Sequence, residues 1–273
     1  MSKNLNKDTK VCMSLAARPG NFGTRFHNYL YDALDLDYLY KAFTTNDLAA
    51  AIGGVRALGI RGCAISMPFK EACIPMVDEL DASAKAIDSV NTIVNTDGYL
   101  KAYNTDYIAI ATLLKQYQVP TEISFALRGS GGMAKAVACA LKDAGFKHGY
   151  IIAKNETSGR QLAELCGFEW RLSLEGVPTP GLLINATPIG MSGGVDADKL
   201  SFTAEEIAAA SVIFEVVALP EQTPLIASAR SQHKTVITGA EVFAIQAVEQ
   251  FVLYTGIRPD DALFQQAAAY SRQ

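Results

Sequence analysis

Two stretches of this chain hold residues whose types and spacing suit chemistry on a small molecule. In "ISFALRGSGGMAKAVACAL", residues 123–141, a short alternating apolar run reaches Gly129-Ser130-Gly131-Gly132 and passes into an amphipathic segment carrying Ala134, Ala136 and Ala138. Glycines there let the chain turn sharply and bring backbone N–H groups against a pyrophosphate, whose charge the positive end of the following helix stabilises. The third fingerprint position is Ala134, and a second apolar run, "YIIAK", follows at βαβ distance. A strand before the glycines and a helix after them point to dinucleotide binding; the alternative is a glycine-rich loop with no ligand. The next residues, "KNETSGR", would meet an adenosine ribose. Glu156 there would accept from a ribose 2′-hydroxyl, whereas Lys154 or Arg160 would attract a 2′-phosphate, so this stretch supports either cofactor, or is merely a solvated loop.

The second stretch lies earlier. Lys70 follows "SMPF", Asn91 stands in "SVNTI" and Asp106 in "AYNTDY", while Gln246 lies far downstream in an apolar helical face. Each alone is ordinary, since a lysine near proline is usually solvated and "NTD" is often a turn or a helix cap. Three of the four, however, sit at the ends of apolar runs ahead of the glycine turn, where a substrate domain would have to be. Moving a hydride from a secondary alcohol to a nicotinamide needs a group that takes the hydroxyl proton. A lysine beside an aspartate can do this if its pKa and orientation are tuned, and the pair must face the nicotinamide across a cleft. Pro68 removes an N–H and biases Met67 toward extended geometry, which would end the strand at the sheet's edge with Lys70 just beyond it.

The elements that must position these residues alternate. Strand-like runs "VCMSLA", "DYLYKAF", "IRGCAISM", "ISFALR", "GYIIAK", "GLLINA", "SVIFEVV" and "KTVITG" are separated by helical patterns, which implies an α/β protein with largely parallel sheets. "NTDYIAIATLLKQYQVP" reads as a helix connecting two domains and stopped by Pro120. "GAEVFAIQAVEQFVLYTG" and "DDALFQQAAAYSRQ" are helical without indicating which domain they join. The length of 273 residues suits one large core or two ordinary domains. A net charge of −4, with 49% hydrophobic and 19% charged residues, gives no footprint for nucleic acid. The N-terminus lacks an apolar signal segment and no apolar run approaches the roughly 20 residues of a membrane helix, so a cytoplasmic protein without a membrane partner is expected. Cys12, Cys63, Cys73, Cys139 and Cys166 never form C-x-x-C and read as reduced core residues. His27, His148 and His233 have no ligand spacing, so no metal is expected.

With these motifs in order, the chain resembles the shikimate dehydrogenase family over essentially its whole length. The family's "N-V-T-x-P-x-K" stands here as Ala64-Ile65-Ser66-Met67-Pro68-Phe69-Lys70, and its "A-V-N-T" as Ser89-Val90-Asn91-Thr92. Its "N-T-D-G-x-G" is Asn104-Thr105-Asp106-Tyr107-Ile108-Ala109, and its "G-A-G-G" is Gly129-Ser130-Gly131-Gly132. "NATPIGM" at 185–191, "TPLI" from Thr223, and the segment from Gly239 to Gln246 complete the series. The resemblance implies a substrate domain over residues 1–107, completed by C-terminal helices at 243–273, and a Rossmann-type doubly wound domain over 108–242, with a cleft between them. It implies that Lys70 and Asp106 form the catalytic dyad and that Asn91 and Gln246 hold substrate hydroxyls, with Asn21, Gly23 and Ser66 in the remaining substrate positions. Gly129, Ser130, Gly131, Gly132, Met133, Lys154, Asn155, Arg160, Ala186, Thr187, Pro188 and Gly239 would then contact the cofactor, in a monomer or homodimer acting in aromatic amino acid biosynthesis.

Departures from the pattern are concentrated at the site. Anchored on His27-Asn28, the alignment puts Asn21 and Gly23 where two serines bind the substrate carboxylate; a gapped alternative would recruit Ser14. Ala64 replaces an asparagine, Ser66 a threonine, Ala218 a tyrosine, and Tyr107 the glycine after the aspartate. The family's "N-R-T" is Asn155-Glu156-Thr157, which leaves Lys154, Arg160 and Arg128 as cations near the adenosine end and favours NADP, with NAD the other option. Each lost hydrogen bond to a charged group is worth about 1.5–3 kcal/mol. The expectation is therefore an oxidoreductase moving a hydride between NADP and a cyclic hydroxy acid: weak on shikimate, or acting on quinate or an amino analogue. The alternative is a dinucleotide-binding sensor that kept the fold and lost turnover.

Overall fold

In the computed structural model, which describes residues 5–85 and 87–272, the chain divides into two compact units, Met1–Thr105 with Ala244–Gln273, and Asp106–Phe243. In the first unit, β1 (Lys10–Leu15), β2 (Tyr38–Phe43) and β3 (Gly62–Ile65) run parallel, joined through α1 (Phe22–Ala33) and α2 (Leu48–Ala57). The one-turn helix α3 (Phe69–Ala72), β4 (Glu79–Leu80), the one-turn helix α4 (Ala82–Lys85) and a hairpin of β5 (Thr92–Thr96) and β6 (Tyr99–Tyr103) follow. The strand order is β2-β1-β3-β5-β6-β4.

This sheet is mixed: β5 is antiparallel to both β3 and β6. The hairpin turns on Asp97 (φ 52°) and Gly98 (φ 87°), a two-residue connection with both φ positive, as the twist of a tight hairpin requires. It also places β3 inside the sheet between β1 and β5, so the strand that Pro68 follows is not an edge strand. Side chains alternate between the faces. Cys12 packs with Phe26, Leu30 and Tyr31 of α1 and with Phe251, Tyr254 and Ala267 from the C-terminal helices. Met13 and Leu15 pack with Ile52, Val55, Cys63 and Ile65 on the other face. Burying each such large apolar side chain contributes roughly 1.5–3 kcal/mol. Gly62 belongs to this packing because a Cβ there would run into the Tyr254 ring.

In the second unit, α5 (Thr105–Gln116) leads to β7 (Phe125–Arg128), α6 (Gly132–Ala144), β8 (Gly149–Ile152), α7 (Glu156–Cys166) and β9 (Glu169–Arg171). After them come β10 (Leu182–Asn185), α8 (Ala204–Ala209), β11 (Val212–Glu215), α9 (Pro224–Ser231) and β12 (Thr235–Ile237). Every strand pair is parallel, in the order β12-β11-β10-β7-β8-β9. That is the doubly wound Rossmann order, with its topological switch between β7 and β10. β10 and β11 are buried at every residue, as strands covered on both faces must be. Helices α10 (Gly239–Thr255) and α11 (Asp261–Ser271) close the chain; the unit boundary falls inside α10, and α11 packs on α1. No described helix is long and apolar enough to cross a membrane. The five cysteines are buried and unbridged.

Candidate active site

One rim of the first sheet is stitched together where β1 and β3 end. Ser66 N–H donates to Leu15 O at 2.9 Å, Ala17 N–H to Met67 O at 3.1 Å and Ile65 N–H to Asn91 O at 2.7 Å. Val90 N–H donates to Lys70 O at 2.9 Å, which fixes the backbone of α3, and with it Lys70, against the segment carrying Asn91. The Met67–Pro68 peptide is cis, and Ser66, Met67 and Pro68 are exposed while Lys70 is half-buried.

Asn91 is the hub of this rim. Fully buried, it accepts at Oδ1 from Thr105 N–H (2.8 Å), Thr105 Oγ1 (3.2 Å) and Thr92 Oγ1 (2.8 Å). Its own Nδ2 has no hydrogen-bond partner among the described residues. A buried amide donor left unmade costs roughly 1–3 kcal/mol, which marks the position as one that a ligand acceptor would complete. Thr105, held by Asn91, is followed directly by Asp106, which is 2% exposed. Gln250 on α10 braces the same segment, donating from Nε2 to Thr92 Oγ1 at 3.0 Å and to Asn91 O at 3.3 Å. Gln246, one turn earlier, is half-buried.

The two positions aligned above with the family's serines differ from each other. Asn21 is exposed at the N-cap of α1 and makes no side-chain cap bond, whereas a Cβ on Gly23 would contact Tyr40 Oη at 3.4 Å. Arg18, exposed, lies in the same β1–α1 loop next to Ala17. The Tyr107 hydroxyl donates to Asp143 Oδ2 at 2.6 Å, tying α5 to α6. Behind the rim, His27 stacks on Tyr40 with centroids 4.3 Å apart and planes at 12°. Burial lowers its pKa from 6.5 to about 3, with Gln250 opposing this, and neither ring nitrogen has a partner of normal hydrogen-bond geometry among the described residues.

In the second unit, Gly129 (φ +125°) makes the turn out of β7, and a Cβ there would meet Ala186 O at 2.9 Å. The turn thus packs on the loop after β10, on the two strands that flank the switch. Gly131 is the N-cap of α6 without a side-chain cap bond, and nothing lies within 4 Å of where its Cβ would be. Gly132 and Met133 open the helix. Uncapped amides at a helix start, with space in front of them, fit a pyrophosphate. Ser130 Oγ and Ser158 Oγ share a hydrogen bond at 2.8 Å. Asn155 caps α7, accepting from Ser158 N–H at 3.1 Å, and Lys154 before it is exposed. Arg160 is engaged with Glu156 (2.8 Å) and lies over the Trp170 ring at 4.4 Å, while the Arg128 guanidinium lies over Phe202 at 4.9 Å.

The loops after β10 and β11 are organised by buried polar groups. Asn185 Oδ1 accepts from Thr187 Oγ1 at 2.6 Å and Thr187 N–H at 3.1 Å, with Ala186 half-buried and Pro188 exposed beside them. Asn185 Nδ2 donates to Glu215 Oε1 at 2.9 Å. Gly239 sits so close to the Val216 and Val217 carbonyls that a Cβ would overlap them.

Residues 22–93 match the shikimate dehydrogenase substrate binding domain. A shikimate dehydrogenase-like protein of Haemophilus influenzae is 54% identical, covering 98% of this chain and 98% of its own. The NADP(+) shikimate dehydrogenase of Pyrococcus abyssi is 33% identical over 89% of this chain and 90% of its own. This chain belongs to the shikimate dehydrogenase family. The structure of shikimate 5-dehydrogenase from Thermus thermophilus, in complex with NADP(H) and shikimate, superposes with a TM-score of 0.85 at 27% identity, covering 96% of this chain and 99% of that one. The curated shikimate dehydrogenases in this comparison are NADP(+) enzymes.

The roles of several residues of this shikimate dehydrogenase scaffold go beyond a motif reading. Gln250 follows Gln246 by one helical turn, a spacing that places both on one face and could have flagged it. Asn185 stands at the head of "NATPIGM", and Glu215 is a lone carboxylate ending the apolar run "VIF". A charged residue there is read as a strand end unless the burial of its neighbours is known.

Proposed function

We propose that the chain is an NADP-dependent dehydrogenase that oxidises a ring CH–OH of a cyclic hydroxy acid to the ketone, with Lys70 and Asp106 handling the hydroxyl proton. The observation that carries the reading is the unpartnered buried amide of Asn91, held on the same rim as Lys70 and one hydrogen bond from the residue preceding Asp106. Asn91 Nδ2 donates to a substrate hydroxyl, and Gln246 holds another. Lys70 takes the proton of the reacting hydroxyl, and Asp106 orients the lysine and balances its charge. When bound, NADP supplies the hydride acceptor. Gly129, Ser130, Gly131 and Gly132 hold its pyrophosphate against α6, and Lys154 faces the 2′-phosphate in place of the family's arginine. With no serines at Asn21 and Gly23, Arg18 meets the substrate carboxylate, which favours a substrate differing from shikimate around that group.

Purified protein should reduce NADP with at least one of shikimate, quinate or their amino analogues, read by nicotinamide absorbance. Lys70→Ala should lower kcat by about 100-fold or more while leaving NADP affinity unchanged. Tight NADP binding with no oxidation of any hydroxy acid would identify a dinucleotide sensor instead.

A further inference from the structure

Glu215, at the C-terminal end of β11, is fully buried, and its carboxylate is a hub of hydrogen bonds. It accepts from Asn185 Nδ2 at 2.9 Å, Val217 N–H at 2.9 Å and Thr223 Oγ1 at 3.1 Å. Each donor belongs to a different piece of backbone. Asn185 holds Thr187 through Oδ1 and also donates to Ile189 O at 3.0 Å, so it shapes the loop after β10. Val217 belongs to the loop after β11, against which Gly239 packs. Thr223 is the N-cap of α9. One carboxylate therefore ties together the loops after β10 and β11, and Gly129 packs on the first of them. In the doubly wound arrangement these two strands lie on the opposite side of the switch from β8, where the adenosine end belongs, so their loops receive the nicotinamide half.

We propose that Glu215 is a positioning residue for the cofactor: its carboxyl group holds the β10 and β11 loops in the form that receives the nicotinamide half. The inference rests on the dinucleotide-binding part of the proposed function and not on the identity of the hydroxy acid. Asn185 Nδ2 and Val217 N–H can only donate, and both reach Oε1, whereas the Thr223 hydroxyl at Oε2 can donate or accept. Burial raises the Glu215 pKa to about 7, with the hydrogen bonds from Val217, Asn185 and Thr223 only partly opposing it. A proton on Oε2 leaves Oε1 to accept from Asn185 and Val217, so the tie between the loops survives protonation.

The test compares NADP with 2′,5′-ADP, which carries the 2′-phosphate but no nicotinamide, by calorimetry at pH 8, where the phosphates of both ligands are ionised. Glu215→Gln, which replaces one acceptor oxygen by a donor, should bind NADP about tenfold more weakly, should bind 2′,5′-ADP as the wild type does, and should melt no lower than the wild type. Glu215→Asp, which keeps the carboxyl group on a shorter stem, should also weaken NADP alone and serves if the glutamine variant does not fold. NADP affinity equal to wild type in the variant would overturn the proposal. Equal weakening of both ligands would also overturn it, leaving Glu215 a purely structural residue. Selective loss of NADP affinity in a protein that oxidises no hydroxy acid would sustain this inference and refute the dehydrogenase reading.

Discussion

His27 and Glu215 give the two units opposite responses to acid. His27 has a folded pKa near 3 and an ordinary value of 6.5, so the unfolded chain binds its proton first. The stability this neutral, buried ring brings is complete above pH 6.5 and is lost as pH falls below it. At 1.36 kcal/mol per pH unit, lowering the pH from 7 to 5 costs the first unit about 2 kcal/mol. Glu215 runs the other way. Its folded pKa of about 7 exceeds its ordinary 4.5, so the folded form binds the proton first, and stability rises as pH falls through 7 toward 4.5. Over the same interval the second unit gains about 2 kcal/mol. A global melting curve would show little, because the two changes oppose each other. Hydrogen exchange corrected for its intrinsic pH dependence separates them, with Leu30, Tyr31 and Phe251 amides reporting the first unit and Ile213 and Phe214 the second. Trp170, the single tryptophan, lies in the second unit, so its fluorescence in urea follows that unit's half of the prediction. His27→Phe, which keeps a ring to stack on Tyr40, should abolish the acid loss. The reasoning fails if protection in the first unit is the same at pH 7 and pH 5, or if the variant loses as much as the wild type.

Two glycines provide further tests. Gly62→Ala forces a methyl into the Tyr254 ring and should destabilise the first unit by about 1–3 kcal/mol in urea unfolding; unchanged stability would mean that this contact relaxes freely. Gly129→Ala places a side chain at φ +125° and against Ala186 O, a backbone strain of roughly 1–3 kcal/mol, and should weaken NADP binding by about tenfold in calorimetry. Affinity equal to wild type would remove the glycine turn from the cofactor site.

The Rossmann-type unit was legible because its parallel strands are continuous apolar runs and its turn needs glycines, two signals that act locally. The hairpin β5–β6 was harder. "NTIVNTDGYLKAY" holds polar residues among apolar ones, and only the Asp97-Gly98 pair signals a turn. Polar residues such as Asn95 are buried there because they serve the backbone: Asn95 Nδ2 donates to Val55 O at 2.8 Å. Lys70 and Asn91 were legible as motif residues, but the orphaned Nδ2 depends on which acceptors the fold supplies, which spacing does not specify. Arg160 shows the same limit. Its pairing with Glu156 follows from their i,i+4 spacing, whereas its stacking on Trp170 depends on a strand ten residues away.

The antiparallel course of β5 has an architectural consequence. Asn91 enters the rim where β1 and β3 end, and the Asp97-Gly98 turn lies at the opposite end of the same hairpin. Register at the rim is set by the pairs Ala64↔Thr92 and Thr92↔Tyr103, close to Asn91. The turn end is held separately, by Gly98 N–H donating to Asn95 Oδ1 and Leu100 N–H to Asp78 Oδ2. The two ends of the hairpin are thus anchored by different sets of bonds, so a disturbance at the turn is absorbed there before it reaches the rim.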